Sequence, residues 1–340
     1  AVVAAQPGTV TEQNLLTEYA EFLHSLVDLS GSRPLHVVVD AGNGMAGYTV
    51  PAVLGDAELA ALPLRIVPLY FELDGSFPNH EANPLDPANL VDLQRAVVAA
   101  GADLGLAFDG DADRCFVIDA AGRPVSPSAI TALVATRELA REPGSAVLYN
   151  LITSRAVPEI IAEHGGRPVR TRVGHSYIKA EMAATDAVFG GEHSAHYYFR
   201  DFWHADTGML AGMHVLAALG EQPATLAELT AAYQRYVASG EINSTVTDPA
   251  ARLAAVAERF GDRTVATDTL DGLTLDLGAG SWLNVRVSNT EPLLRLNVEA
   301  PTEAQMSAIR DEALAVIRAP AVTADTAGAG AAGARTEETT

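Results

Sequence analysis

One cysteine, Cys115, is all that the 340 residues contain. No internal disulfide can form, and a reducing cytoplasm is the expected compartment. Basic residues are also scarce: 22 Lys and Arg stand against 43 Asp and Glu, a formal net charge of −21. Such a chain repels nucleic-acid backbones and anionic membrane faces, whose binding depends on Lys and Arg, so neither is an expected partner. Any phosphate group that it binds must be met by a few local cations. No uninterrupted apolar run reaches the roughly 18 residues of a transmembrane helix. The start shows no basic segment leading into an apolar core, and no tandem repeat occurs at solenoid periods. What remains is 48% hydrophobic and 19% charged, the composition of a folded protein long enough for two or three domains.

The pattern along the chain is strand, loop, helix, repeated. Residues 11 to 29 carry Leu15, Leu16, Tyr19, Phe22, Leu23 and Leu26 at helical spacing and predict an amphipathic helix. Strand RPLHVVVD, turn AGNGMAG and helix start YTVPAVLG follow, then strand LRIVPLY and a Pro-, Asn- and Asp-rich loop, DGSFPNHEANPLDP. A helix from about Asn89 to Ala100 leads to strand DLGLAF. After the turn AAGRPVSP a similar series begins: SAVLYN, AVPEIIAEHG, RPVRTR, VGHS, YIKAEMAAT, DAVFGGE. Two alternating β/α series predict two similar α/β domains with mainly parallel sheets. From about Gly240 short strands and a single helix before the last one predict a smaller α+β domain, closed by TEAQMSAIRDEALAVIRA. The expected divisions are 1–30 for a leading helical segment, 31–123 and 124–239 for the α/β domains and 240–318 for the α+β domain. Residues 319–340 form a tail expected to be disordered.

Several loops compete for a function. GNGMAG (42–47) follows a strand and opens a helix, as a dinucleotide-binding turn would, but Glu72 lies too far on to be the expected acidic partner. A structural turn is the expected role. In AFDGDADRCFVID, Asp109, Asp111 and Asp113 stand at alternate positions between two apolar runs. Their mutual repulsion demands solvent or a cation, and three oxygens beside Arg114 suit Mg²⁺, which completes its shell with water or substrate phosphate. GGEHSAHYYFRDFWHAD gathers Glu192, His193, Ser194, His196, His204 and Asp206. Zinc is conceivable there, but His193 and His196 would face opposite sides of a strand and no cysteine partner exists. A hydroxyl-binding loop, with Glu192 and Ser194 on vicinal sugar hydroxyls, fits the composition better. Finally, NVRVSNTEPLLRLNVEA offers Arg286, Ser288, Asn289 and Thr290 at a strand-to-loop transition, a donor set suited to a phosphate monoester.

DGDADR, TRVGHSYIK, GGEHSAH and RVSNTEP, in that order, resemble the phosphohexomutase superfamily, and the likeness runs from about residue 11 to 318. It looks most like the bacterial phosphomannomutase/phosphoglucomutase branch. The resemblance implies α/β domains of shared topology and a C-terminal domain resembling the TATA-binding-protein fold. It also implies reversible transfer of phosphate between C1 and C6 of a hexose, with Mg²⁺ and a hexose 1,6-bisphosphate that serves as intermediate and activator. Asp109, Asp111 and Asp113 would hold the metal, and Arg114 would steady the transferred phosphoryl group. Lys179, with Arg172 and His175, would supply acid/base or charge-neutralising groups. Glu192 and Ser194, with His196 in the same loop, would grip the sugar, and Arg286, Ser288, Asn289 and Thr290 would hold the phosphate that is not transferred. Phosphoryl transfer asks mainly for positioning and for cations around the equatorial oxygens, which this set supplies.

Two departures from the family pattern stand out. Ala195 occupies a position where the pattern has Gly, and the Thr-Ala-Ser-His-Asn-Pro string of the family's phosphoserine loop occurs nowhere in the sequence. The opening helix then reads as the end of a missing first domain, so that the chain is either a piece of a longer frame or a degenerate member. Two other classes follow. One is a phosphosugar-binding protein without turnover. The other is a haloacid-dehalogenase-type phosphatase with Asp109 as nucleophile and Asp111 as general acid, although that motif wants Thr or Val at Asp113.

Overall fold

The computed structural model describes residues 8–288 and 293–319. Residues 289 and 290 of the last loop, and the expected tail beyond residue 319, lie outside the described residues. The leading helix, α1, spans Leu16–Leu26 rather than 11–29. No side chain caps it at Leu15, and residues 11–15 are exposed, so the propensity upstream has nothing to pack against.

The first unit runs β1 (Leu35–Asp40), α2 (Ala46–Val53), β2 (Leu64–Leu69), α3 (Val91–Ala100), β3 (Leu104–Phe108), β4 (Cys115–Asp119) and β5 (Pro124–Val125). Its sheet has the order β2-β1-β3-β4-β5, with β1 parallel to β2 and β3, and an antiparallel β4–β5 edge. Val37, Val38, Val39, Leu104 and Leu106 are fully buried. Burial on both faces of the sheet is why VVV reads as a continuous apolar run instead of alternating, and each such side chain contributes about 1.5–3 kcal/mol.

The second unit repeats the plan. It runs α4 (Pro127–Arg141), β6 (Ala146–Asn150), α5 (Ala156–Glu163), β7 (Arg167–Thr171), α6 (His175–Thr185), β8 (Phe189–Gly191), β9 (Tyr197–Phe199), β10 (Ala205–Asp206), α7 (Gly208–Gly220) and α8 (Leu226–Ala231). The order is β7-β6-β8-β9-β10, again three parallel strands and an antiparallel edge. The hairpins β3–β4 and β8–β9 are therefore topological equivalents, and each carries a candidate loop. Every residue of α7 is buried, between β4 and α4, and the first two units share one continuous core. A helix apolar on all sides has no 3.6-residue rhythm, so the periodicity reading assigns nothing there.

The third unit has its own core. It comprises β11 (Val237–Ala238), β12 (Ile242–Thr245), α9 (Pro249–Phe260), β13 (Ala266–Asp268), β14 (Leu273–Gly278), β15 (Ser281–Val287), β16 (Leu293–Ala300) and α10 (Glu303–Ile317). Its main path is β11-β16-β15-β14-β13, all antiparallel, with β12 also paired to β16. It meets the second unit through a mixed seam: the Arg155 amide donates to Glu299 Oε1 at 2.9 Å, Arg155 pairs with Asp276 at 3.2 Å, Arg170 pairs with Asp268, and Trp282 packs on Leu151 and Ile152.

Candidate active site

Pairing of Phe108 with Cys115 closes β3 and β4 around residues 109–114, so the acidic triplet sits on a tight loop, not along a strand. Asp109 is 3% exposed, and both of its oxygens are held by Arg114: Oδ1 accepts from the backbone N–H at 3.1 Å, Oδ2 from Nε at 2.7 Å. Arg114 Nη1 also donates to Asn83 Oδ1, at 3.2 Å, in the FPNHEANP loop. The GNGMAG turn backs this loop. The Met45 amide donates to Gly110 O at 2.9 Å, and a Cβ on Gly44 would lie 2.6 Å from that same oxygen. Its expected structural role is thus carried by a close approach that only glycine permits.

Asp109, Asp111 and Asp113 each bring an oxygen within 4.8 Å of the others. Oδ1 of Asp113 is buried with no hydrogen-bond partner among the described residues. Burial, and then the charges of Asp109, Asp111 and Asp206, push the Asp113 carboxyl up to about 7. An all-oxygen donor set with an orphaned buried acceptor fits a hard divalent cation such as Mg²⁺. Without metal, folded Asp113 retains a proton that the unfolded chain releases near 3.8, so its contribution to stability declines as pH rises from about 4 to about 7. In EDTA at pH 8, Asp113→Asn is therefore expected to melt above the wild type, and the difference should shrink at pH 5.5. Equal melting temperatures at both pH values would refute this.

The equivalent turn of the second unit, 192–196 between β8 and β9, lies against the acidic loop. Arg114 and His196 form an antiparallel bridge, and the Cys115 amide donates to Ala195 O at 3.3 Å. Glu192 is 2% exposed: Oε1 accepts from Asn150 Nδ2 at 3.1 Å, and Oε2 from the Tyr198 hydroxyl at 2.9 Å. Ser194 Oγ lies 2.8 Å from His196 Nδ1, and His196 Nε2 lies 3.6 Å from Asp113. Burial, with His175 and Arg114 nearby, holds His196 neutral, down to about 4. His175 packs edge-on against the His196 ring at 4.3 Å. Its Nδ1 is 2.8 Å from Asp206 Oδ2, while Lys179 Nζ donates to Asp206 Oδ1 at 2.9 Å. Burial raises Asp206, but the hydrogen bond and charge of Lys179 and the charge of His175 outweigh it, and the carboxyl is lowered. Arg172 stacks over the Tyr177 ring at 4.7 Å. His204 falls outside the group of potential ligands formed by Asp113, His175, His196 and Asp206.

Arg286 and Ser288 lie at the end of β15 in the third unit. Arg286 is 8% exposed and donates through Nη2 to Glu241 Oε2 at 2.6 Å, while Arg295 donates to Glu241 Oε1 at 3.0 Å. Asn289 and Thr290 of the same expected set lie outside the described residues. A cleft of about 860 Å³ runs between the units, lined among others by Asn83, Ser128, His193 and Glu241. The acidic loop, the 192–196 turn and Lys179 therefore form one contiguous cluster, and the neighbouring cleft is lined by His193 and by Glu241, which holds the arginine pair. Asn150 and Glu241, which complete these networks, carry no motif of their own, whereas Asn83 and Tyr198 stand in loops already singled out by composition. Asp206 also stands in the stretch singled out by its polar residues.

Sequence models of the phosphoglucomutase/phosphomannomutase family match most of the chain: alpha/beta/alpha domain II over residues 17–122, alpha/beta/alpha domain III over 126–236, and the C-terminal domain over 241–316. A phosphomannomutase of Escherichia coli is 37% identical over 318 residues, covering 92% of this chain and 69% of that protein. This chain belongs to the phosphohexomutase superfamily. Within it, proteins described as phosphohexose mutases in Xanthomonas campestris are 41% identical over 298 residues, and the chain spans 65% of their length. A Burkholderia thailandensis phosphoglucomutase/phosphomannomutase family protein has the same fold, with a TM-score of 0.78 at 31% identity, covering 90% of this chain and 65% of that one.

In this family member the turn residue Ala195 is fully buried at φ 65°, and the half-buried Ala112 of the acidic loop has the same φ of 65°. The left-handed backbone explains the glycine of the family pattern, and alanine costs about 1–2 kcal/mol there. Gly208, at the start of α7, locks the two hairpins together. Its amide donates to Ala112 O at 3.1 Å, and an added Cβ would lie 2.5 Å from the Arg114 carbonyl carbon and oxygen. Gly208→Ala is expected to lower stability by about 1–3 kcal/mol, the size of an overpacking penalty, and to weaken Mg²⁺ binding. Urea melts with Mg²⁺ titration measure both, and wild-type values would show that the loop yields freely.

Proposed function

We propose that the chain catalyses, or forms the larger part of a protein that catalyses, reversible transfer of phosphate between C1 and C6 of a hexose phosphate through a hexose 1,6-bisphosphate. The observation that carries this reading is the convergence of an oxygen-only acidic loop with the 192–196 turn, beside a cleft lined by His193 of that turn and by Glu241, which holds an arginine pair. Asp109, Asp111 and Asp113 would hold Mg²⁺, which supplies charge neutralisation at the phosphoryl oxygens when bound. Arg114, oriented by Asp109 and Asn83, would add positive charge beside the transferring group. Lys179 and His175, both held on Asp206, would exchange a proton with, or neutralise, the reacting oxygen. Glu192, Ser194 and His196 would orient the sugar, with Glu192 itself set by Asn150 and Tyr198. Arg286, Ser288, Asn289 and Thr290 would grip the phosphate that stays. Because the third unit has its own core, it could follow the sugar as its ends exchange.

Domain boundaries at 31–123, 124–239 and 240–318 accompany this reading, supported by one sheet in each segment except that β11 (Val237–Ala238) of the third sheet precedes residue 240. A cytoplasmic setting is proposed from the single cysteine; no helix among the described residues is long and apolar enough to cross a membrane. The test is conversion of mannose 1-phosphate and glucose 1-phosphate to their 6-phosphates with Mg²⁺ and a bisphosphate activator, run beside calorimetry with the same sugars. Binding with Mg²⁺-dependent turnover is expected. Absence of calorimetric binding to every hexose phosphate would overturn the reading.

A further inference from the structure

Arg286 on β15 and Arg295 on β16 are directly opposite one another in the antiparallel register. Two guanidiniums at such a pair repel, and like charges directly across a ladder are destabilising. Glu241 resolves the conflict. Its Oε2 accepts from Arg286 Nη2 at 2.6 Å and its Oε1 from Arg295 Nη1 at 3.0 Å. The three side chains are only 10%, 28% and 20% exposed for Arg286, Arg295 and Glu241. Burial raises the Glu241 carboxyl, but the two arginines outweigh it, and the group is held below its ordinary value and ionised.

We propose that Glu241 is a positioning residue for the phosphate clamp. By holding Nη2, it fixes the plane of the Arg286 guanidinium and leaves Nε–H as an unused donor for a phosphomonoester. Three observations support the assignment. The Nε of Arg286 is buried without a hydrogen-bond partner among the described residues, a donor left over once Glu241 has taken the other end. The backbone at Glu241 is fixed from both sides: Gly240 before it adopts φ 68°, and β12 after it pairs with β16 from Ile242 opposite Leu296 to Thr245 opposite Leu293. Glu241 also lies at the entry to the third unit and acts electrostatically on His193, which burial holds neutral, down to about 4. One carboxylate thus joins the arginine clamp to the loop that carries Glu192 and Ser194. The cost is a negative charge beside an anion site, and it is tolerable only if the orientation it enforces is worth more.

That balance makes the sign of the effect decisive. Glutamine at 241 removes a negative charge, which taken alone would tighten binding of a dianion. It also presents an amide N–H₂ to one of the two arginines and so releases the fork. We expect Glu241→Gln to weaken mannose 6-phosphate binding in calorimetry by roughly tenfold, with Glu241→Asp intermediate. In an Arg286→Ala background the same Gln change should matter by less than about twofold, because there is no fork left to orient. Equal or tighter binding by Glu241→Gln, or full additivity with Arg286→Ala, would overturn the assignment. The proposal rests on the hexose-phosphate reading, so a second measurement separates the two. The ¹⁵N-resolved Nε–H signal of Arg286 in the ligand-free protein should be sharp in the wild type and broadened in Glu241→Gln. A signal unchanged by the substitution refutes the positioning role even if no sugar phosphate binds, whereas broadening without sugar binding refutes only the functional reading.

Discussion

Asp109→Ala is expected to destabilise the metal-free protein by about 2–3 kcal/mol and to abolish tight Mg²⁺ binding. Breaking a buried ion pair by removing one partner typically costs about 3–5 kcal/mol, because the surviving charge stays behind without compensation. Arg114 is 21% exposed while Asp109 is 4% exposed, so water reaches the survivor and the cost falls at or below the bottom of that range. Asp111→Ala supplies the contrast. Asp111 is exposed, and its removal relieves repulsion on Asp113 without taking a partner from Arg114. Its stability in EDTA should equal or slightly exceed that of the wild type, while its Mg²⁺ affinity should fall about tenfold or more. Urea melts in EDTA followed by Mg²⁺ titration separate the two roles. If Asp109→Ala were as stable as the wild type, the Arg114 pair would be contributing nothing, and the loop would owe its shape to the backbone alone.

Arg286→Ala should weaken hexose-phosphate binding by about 1.5–3 kcal/mol, the usual worth of a hydrogen bond to a charged group. At about 1.4 kcal/mol per decade this is roughly 10- to 150-fold. The guanidinium is largely buried, so its charge acts through less water than a surface arginine's would. Fold stability should change less, since Glu241 keeps Arg295 as a partner. Arg310 is the natural control: it pairs with its neighbour Asp311 at the surface, away from the cleft, and Arg310→Ala should leave binding within about twofold. Calorimetry on the two variants decides the matter. An Arg286→Ala effect as small as the control's would remove the clamp from the account.

The departures of the structure from the sequence reading have physical causes. Helix α7 escaped because burial on all sides erases amphipathic rhythm, whereas α6 and α9 present one apolar face and were readable. The opening helix is shorter than its expected span because residues 11–14 are polar and exposed, and because the buried Val27 already leaves the helix in an extended conformation. A shared strand would turn His193 and His196 to opposite sides, which disfavours zinc in the 192–206 stretch. They stand instead on a turn, where His196 joins His175 and Asp113 while His193 is directed toward the arginine pair.

Sequence alone determined which charged and polar groups each loop carries. Asp at 109, 111 and 113, the polar residues from Glu192 to Asp206, and Arg286 with Ser288 are local patterns, and local patterns are written in consecutive residues. It also determined the two α/β series, because strand and helix periods are local too. What only the tertiary structure decided is how these loops meet. Equivalence of the β3–β4 and β8–β9 hairpins, and their contact through Arg114 and His196, comes from sheet pairing and from α7 filling the shared core. The partners that set each functional group, Asn83 on Arg114, Asn150 and Tyr198 on Glu192, Asp206 on Lys179 and Glu241 on Arg286, lie mostly far away along the chain. A buried charge must find its counter-group wherever folding brings one, so the orientation of such a site is a property of the packed molecule, not of the motif.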